Sequence, residues 1–91
     1  MVFVINKKKY DTNKMTLVTD KFRYEYKVSH PIFGGLTHVT HDTGLYKSEK
    51  GNWLVVFDGY GRAVTEKEAQ DMLLKHDYKA YEKRFGELEE A

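Results

Sequence analysis

Leu45-Tyr46-Lys47-Ser48-Glu49-Lys50-Gly51-Asn52-Trp53-Leu54-Val55-Val56-Phe57 reads as a β-hairpin, and its second arm decides the fold. Glu49-Lys50-Gly51-Asn52 form the turn, with Gly51 free to take the positive φ that a type I turn followed by a bulge requires. In the second arm Trp53, Val55 and Phe57 point one way, and Leu54 and Val56 the other. A strand that is apolar on both sides is expected to be covered on both and to lie inside its sheet. Only the charged tip, Lys47 to Asn52, is then left for contact with another molecule.

Working outward toward the start, Val2 to Ile5 is a short apolar arm, and Asn6-Lys7 is a tight turn returning through Lys8 to Tyr10. Asp11-Thr12-Asn13-Lys14 is a second turn, and Met15 to Thr19 a short strand with Met15, Leu17 and Thr19 on one side. The clearest alternation runs from Phe22 to Ser29, where Phe22, Tyr24, Tyr26 and Val28 share one face and Arg23, Glu25, Lys27 and Ser29 the other. His30-Pro31-Ile32-Phe33-Gly34-Gly35 reads as a loop because of its proline and paired glycines, with Ile32 and Phe33 tucked under it. Leu36 to His41 is a further strand, and Asp42-Thr43-Gly44 either turns the chain or makes a bulge into Leu45.

Beyond the hairpin, Asp58-Gly59-Tyr60-Gly61-Arg62 reads as a glycine-punctuated loop leading to the helical region. Thr65 and Glu68 have the spacing of a capping box. Ala69, Met72, Leu73, His76 and Ala80 form one helical stripe for the sheet. Tyr78, Tyr81, Phe85 and Leu88 form a second set, which on one continuous helix would face nearly away from the first. Asp77 is a good N-cap, so the preferred reading is a break near His76-Asp77 that turns the second stripe inward, with Gly86 as the stop. A continuous helix would instead offer that stripe to a partner, a second copy of the chain included.

Ninety-one residues without repeats, linkers or low-complexity tracts make one domain, 1–91. The absence of cysteine excludes disulfides, thiolate metal sites and cysteine nucleophiles, and fits a reducing, cytoplasmic setting. The apolar run from Met1 to Ile5 is too short for a membrane span or signal peptide and lacks a basic leader, so no membrane association is expected. Fifteen Lys and Arg against fourteen Asp and Glu give a net charge of +1, hence no global field for nucleic acid. The charge is uneven, with Lys7, Lys8, Lys9 and Lys14 near one end and Glu87, Glu89 and Glu90 near the other.

Catalytic patterns are weak. Asp42-Thr43-Gly44 matches the triplet of aspartic proteases, but its flanks, Thr40-His41 and Leu45-Tyr46, are not the apolar strand and second acid of that family. His38 and His41, three apart on a strand, point to opposite faces, and His38 with Asp42 gives only two ligands, so neither a metal nor another cofactor is expected. Gly59-Tyr60-Gly61 lacks the third glycine of a dinucleotide loop, and no nucleophile elbow or carboxylate pair is present. The chain is therefore read as not an enzyme. A nucleic-acid platform could be assembled from Lys7, Lys8, Lys9, Tyr10 and Arg23, but the alternation places Tyr24 and Tyr26 opposite Arg23 and Lys27, as in a core face backed by a solvated one.

Lys8-Lys9-Tyr10-Asp11-Thr12, Leu45-Tyr46-Lys47 with Lys50-Gly51-Asn52-Trp53, Thr65-Glu66-Lys67-Glu68-Ala69, and Tyr81-Glu82 with Phe85-Gly86-Glu87 together resemble a set of small proteins carried by phages, plasmids and conjugative elements of Gram-positive bacteria. The resemblance carries over no catalytic residue. It implies a cytoplasmic protein that binds a host protein, in the manner of inhibitors of CRISPR effectors or restriction enzymes. With a charge near zero, such an inhibitor would cover a protein surface rather than imitate a duplex.

The expected fold is α+β, an antiparallel meander of about five strands with the C-terminal helical segment on one face, and a core including Val4, Leu17, Tyr24, Tyr26, Leu54, Val56, Met72 and Leu73. The expected function is a binding protein that inhibits or regulates a host macromolecule. Its contacts are Lys47, Glu49 and Lys50 at the hairpin tip, with Tyr78, Tyr81 and Phe85 if the helix is continuous. The alternative is a small RNA or single-stranded DNA binder using Lys7, Lys8, Lys9, Tyr10 and Arg23.

Overall fold

A computed structural model describes residues 1–21, 25–30, 34–39 and 43–91, with backbone alone for 25–30 and 34–39. The architecture is α+β, with antiparallel strands followed by two C-terminal helices. The strands are β1 (Val2–Ile5), β2 (Lys8–Asp11), β3 (Thr16–Thr19), β4 (Glu25–His30), β5 (Gly34–Val39), β6 (Thr43–Lys47), β7 (Trp53–Phe57) and β8 (Tyr60–Val64). The helices are α1 (Glu66–His76) and α2 (Tyr78–Phe85). The central sheet has the order β3-β6-β7-β8, while β1-β2 and β4-β5 are separate two-stranded ribbons.

The deciding hairpin is present as expected. Lys47 pairs with Trp53 across a tip in which the Ser48 N–H donates to the Asn52 carbonyl at 2.8 Å and the Gly51 N–H to the Ser48 carbonyl at 3.0 Å. Gly51 has φ 85°, and the Ser48 hydroxyl accepts from the Asn52 N–H at 3.0 Å. β7 lies between β6 and β8, and Trp53, Leu54 and Val55 are buried.

Residues opposite one another in antiparallel strands share a face, so register defines two sides of the sheet. Leu45, Trp53, Val55 and Val64 face the helices, where they pack with Ala69 and Leu73; Phe57, Met72, Ala80, Tyr81 and Phe85 close around them. Burial of side chains such as Trp53, Leu45 and Leu73 stabilises the domain by about 1.5–3 kcal/mol each. On the other side lie Gly44, Tyr46, Leu54, Val56, Gly61 and Ala63. The β1-β2 ribbon reaches this side, because a Cβ placed on Gly61 would lie 2.6 Å from the Phe3 ring. The molecule is thus layered as ribbon, sheet and helices.

The helix break falls where expected. The Asp77 N–H ends α1 on the Leu73 carbonyl at 2.8 Å, and the Asp77 carboxylate starts α2 by accepting from the Ala80 N–H at 3.3 Å. The Thr19 hydroxyl donates to the other carboxylate oxygen at 2.7 Å, fastening the break to β3. That bond holds the Asp77 carboxyl below its ordinary range, against the opposing effect of burial. The capping box is complete, with Glu68 N–H to the Thr65 hydroxyl and Thr65 N–H to the Glu68 carboxylate each at 3.1 Å. The backbone bond from Thr65 lowers the Glu68 pKa, helped by the Thr65 hydroxyl and by Arg62, whose guanidinium is 3.0 Å away. Gly86 ends α2 at φ 107°.

Several expectations are corrected. Val4 is 74% exposed and Leu17 48%, so neither belongs to the core; Val4 faces outward on a ribbon that covers the sheet with its other side, and Leu17 precedes a register shift that turns Thr19 inward. Leu54 and Leu73 are buried, Val56 and Met72 are half-buried, and Tyr24 and Tyr26 lie outside the residues whose side chains are described. The Asp58-to-Arg62 loop is a two-residue turn, Asp58 (φ 47°) and Gly59 (φ 86°), followed directly by β8. Gly34 and Gly35 are strand residues paired with His30 and Ser29, and Thr43 and Gly44 are already paired with Phe57 and Val56. Phe22, Arg23, Ile32, Phe33, His41 and Asp42 lie outside the described residues.

Candidate functional site

The β1-β2 turn sets the first wall of the site. Asn6 and Lys7 both have positive φ, 51° and 63°, the two-residue geometry whose twist matches that of the flanking strands. β2 then carries Lys8, Lys9 and Tyr10 back along the sheet. Asp11 follows, its carboxylate accepting from the Asn13 N–H at 3.0 Å to cap the short 3-10 turn Thr12–Lys14. The Thr12 N–H and hydroxyl both donate to the Met1 carbonyl, at 2.9 and 3.2 Å, locking the end of β2 to the start of β1.

This wall stands beside the tip of the β6-β7 hairpin, leaving a cleft of about 840 Å³ between them. Lys8, Lys9 and Lys14 contribute from one side and Glu49 and Lys50 from the other, with Tyr10 and Met15 as the apolar lining. The Lys8 ammonium reaches the Asn52 side-chain carbonyl at a long 3.5 Å, spanning the two walls. Four lysines against Asp11 and Glu49 among the lining residues make the surroundings of the cleft cationic in a chain of nearly neutral total charge. Low-dielectric walls concentrate such a field more than a flat surface does.

Two groups of residues selected from sequence for different reasons therefore converge. Lys8, Lys9 and Tyr10 were candidates for nucleic acid, and Glu49 and Lys50 for a protein partner; they line one cleft. Tyr10 is only 7% exposed, so its ring is a lining and not a platform on which a base can stack. Lys7 lies in the exposed β1-β2 turn, outside the cleft lining. Lys47 is on the helix side of the sheet, its ammonium 5.2 Å from the centre of the Trp53 ring. Arg23 lies outside the described residues.

The aromatic contacts on the helical segment were conditional on a continuous helix, and that condition is not met. Phe85 stacks on Trp53 with ring centres 6.3 Å apart, and Tyr81 packs on Phe85 at 5.0 Å. Tyr78 alone of the three remains exposed, at 52%. Lys14 and Met15 are not among the residues expected at a site, and Asn52 is expected only as the end of the hairpin tip. Lys14 carried a signal in its closeness to the lysine run, whereas Asn52 enters the cleft only through the position of the ribbon over the sheet.

Among the described residues, no group of three His, Cys, Asp or Glu side chains is placed to hold a metal ion. Among the same residues, no helix is long and apolar enough to cross a membrane. No family model matches the sequence, and searches of the curated proteins and of the solved structures return no match.

Proposed function

We propose that this chain is a small non-enzymatic binding protein that inhibits or regulates a host macromolecule by covering part of its surface. The observation that carries the reading is the lysine-framed cleft, assembled from β2, the turn after it and the distant β6-β7 tip. A concave cationic surface with an apolar lining is suited to an acidic, partly apolar patch on a partner, and opposite charge chiefly accelerates and orients that encounter. More particularly, we propose a mobile-element inhibitor acting in the cytoplasm on a CRISPR effector or restriction enzyme, since segments such as Lys8-Lys9-Tyr10-Asp11-Thr12 and Lys50-Gly51-Asn52-Trp53 resemble proteins of such elements. The contact residues are then Lys8, Lys9, Lys14, Glu49 and Lys50.

The test is cleavage by a panel of purified CRISPR effectors and restriction enzymes, with and without the protein. Inhibition of one of them is expected, together with its loss in the double variant Lys9→Glu/Lys50→Glu, which reverses two exposed charges and should retain the wild-type melting temperature. Failure to bind or inhibit any member, or inhibition indifferent to the charge reversals, would reject the reading.

The same four lysines favour one alternative, binding of RNA or single-stranded DNA through phosphates. The burial of Tyr10 speaks against a stacking mode. Affinity for nucleic acid that falls steeply with salt would favour this alternative, and absence of retention at low salt would remove it.

A further inference from the structure

We infer that the lysine-framed cleft takes the acidic segment Glu87-Leu88-Glu89-Glu90 of a second copy of this chain, so that two copies associate by exchanging these segments. The inference rests on reading the cleft as a binding surface, and it names an occupant present on the molecule itself.

Charge is the first argument. The residues lining the cleft include four lysines against two acidic residues, and the segment after α2 places three carboxylates within four residues. Among the described residues neither Glu87, Glu89 and Glu90 nor Lys9, Lys14 and Lys50 form an ion pair. Each set carries charge opposite to that of the other.

Shape is the second. The segment is exposed throughout, and Leu88, 40% exposed, lies between acidic neighbours. An apolar residue flanked by carboxylates matches an apolar lining, Tyr10 and Met15, framed by lysines. Methionine adapts readily to such an insertion because its side chain is unbranched and flexible. The cleft volume of about 840 Å³ falls in the range of pockets that enclose small ligands, roughly 300–1,000 Å³. Four extended residues span about 13 Å.

The position of the segment favours a second copy over the same one. The Leu88 N–H donates to the Glu82 carboxylate at 3.0 Å, holding the segment to the helix layer. The β2 wall belongs to the ribbon layer on the opposite side of the sheet. In a reciprocal exchange about a two-fold axis, which requires the segment to extend past the edge of its own sheet, each copy fills the other's cleft and the assembly closes instead of growing into a chain.

Sedimentation velocity over a concentration series tests the inference on the full chain. A reversible dimer is expected, whose dissociation constant rises about tenfold or more between about 50 mM and about 500 mM salt, as exposed charges become screened. Glu87→Gln/Glu89→Gln/Glu90→Gln and, separately, Lys9→Glu/Lys50→Glu should each weaken association by roughly tenfold or more. Mixing Lys9→Glu/Lys14→Glu/Lys50→Glu with Glu87→Lys/Glu89→Lys/Glu90→Lys should restore it, which a merely misfolded variant could not do. A chain that stays monomeric at all concentrations, or a dimer indifferent to the glutamine variant, overturns the inference. The glutamine variant leaves the cleft intact, so its inhibition of a target enzyme should persist. Persistence without a wild-type dimer would refute only the exchange, and absence of inhibition alongside a dimer would refute only the proposed function.

Discussion

Replacing Gly61 by alanine should lift the β1-β2 ribbon from the sheet. A Cβ at this position would lie 2.6, 2.7 and 3.0 Å from three atoms of the Phe3 ring, all well inside van der Waals contact. The ring cannot yield by a small rotation, because one of those atoms is Cγ, close to the backbone of β1. Overpacking of this kind costs about 1–3 kcal/mol, which for a domain of this size lowers the melting temperature by roughly 5–20 °C. The measurement is a double-mutant cycle by urea unfolding with Gly61→Ala, Phe3→Leu and the pair. Leucine is smaller than the ring it replaces, so the pair should be more stable than the sum of the single changes predicts, by about 1 kcal/mol or more. Gly59→Ala is the control: it meets nothing within 4 Å, but sits at φ 86° and should lose stability through backbone strain, without coupling to Phe3. A Gly61→Ala variant as stable as wild type, or one whose loss is additive with Phe3→Leu, would refute the placement of the ribbon.

Two further outcomes follow from the backbone and the helix junction. Lys7 holds φ 63° in the β1-β2 turn, where glycine is preferred at the second central position; Lys7→Gly should therefore stabilise the fold by up to about 1 kcal/mol, read as a higher melting temperature, and a lower one would contradict the assigned turn. Asp77 has a native pKa below its ordinary value of 3.8, chiefly through the Thr19 hydroxyl, so its ionised form stabilises the fold fully above that value and loses the contribution as pH falls through it toward the depressed native pKa. Asp77→Asn keeps a capping side chain but cannot titrate, so it should be less stable than wild type at neutral pH and converge on it in acid; a difference unchanged between pH 7 and about pH 3 would exclude the linkage.

The parts of the fold that were legible are those whose cause is local. Gly51 announces its own turn, Thr65 and Glu68 their capping box, and Asp77 the break that sends Phe85 back onto Trp53. Each depends on residues within a few positions. Asp58-Gly59 is the instructive failure, because Asp-Gly is among the strongest two-residue hairpin signals, yet the two glycines around Tyr60 read as a longer loop. The strand after it was hidden by Gly61, whose missing side chain serves the packing of Phe3 and not flexibility. Val4 and Leu17 failed for another reason. Alternation shows that a strand has two faces but not which one is covered, and in β3 the register shift between Leu17 and Thr19 changes the answer within one strand.

The cleft was illegible as a unit because its walls meet through the sheet and not through the sequence. Leu54 is fully buried on the side of β7 away from the helices, and that side is where the ribbon lies. Covering it requires a second layer, and Phe3 against Gly61 fixes where that layer sits. Once β1 is placed, pairing of Phe3 with Tyr10 and of Val4 with Lys9 fixes β2, and the lysines arrive beside the β6-β7 tip. The cationic cleft is thus a consequence of burying the second face of β7. Its integrity depends on a glycine outside its own lining, so Gly61→Ala should weaken cleft-dependent binding as well as stability, whereas Lys9→Glu/Lys50→Glu should weaken binding alone. That difference separates a surface built by the core from one merely decorated with charge.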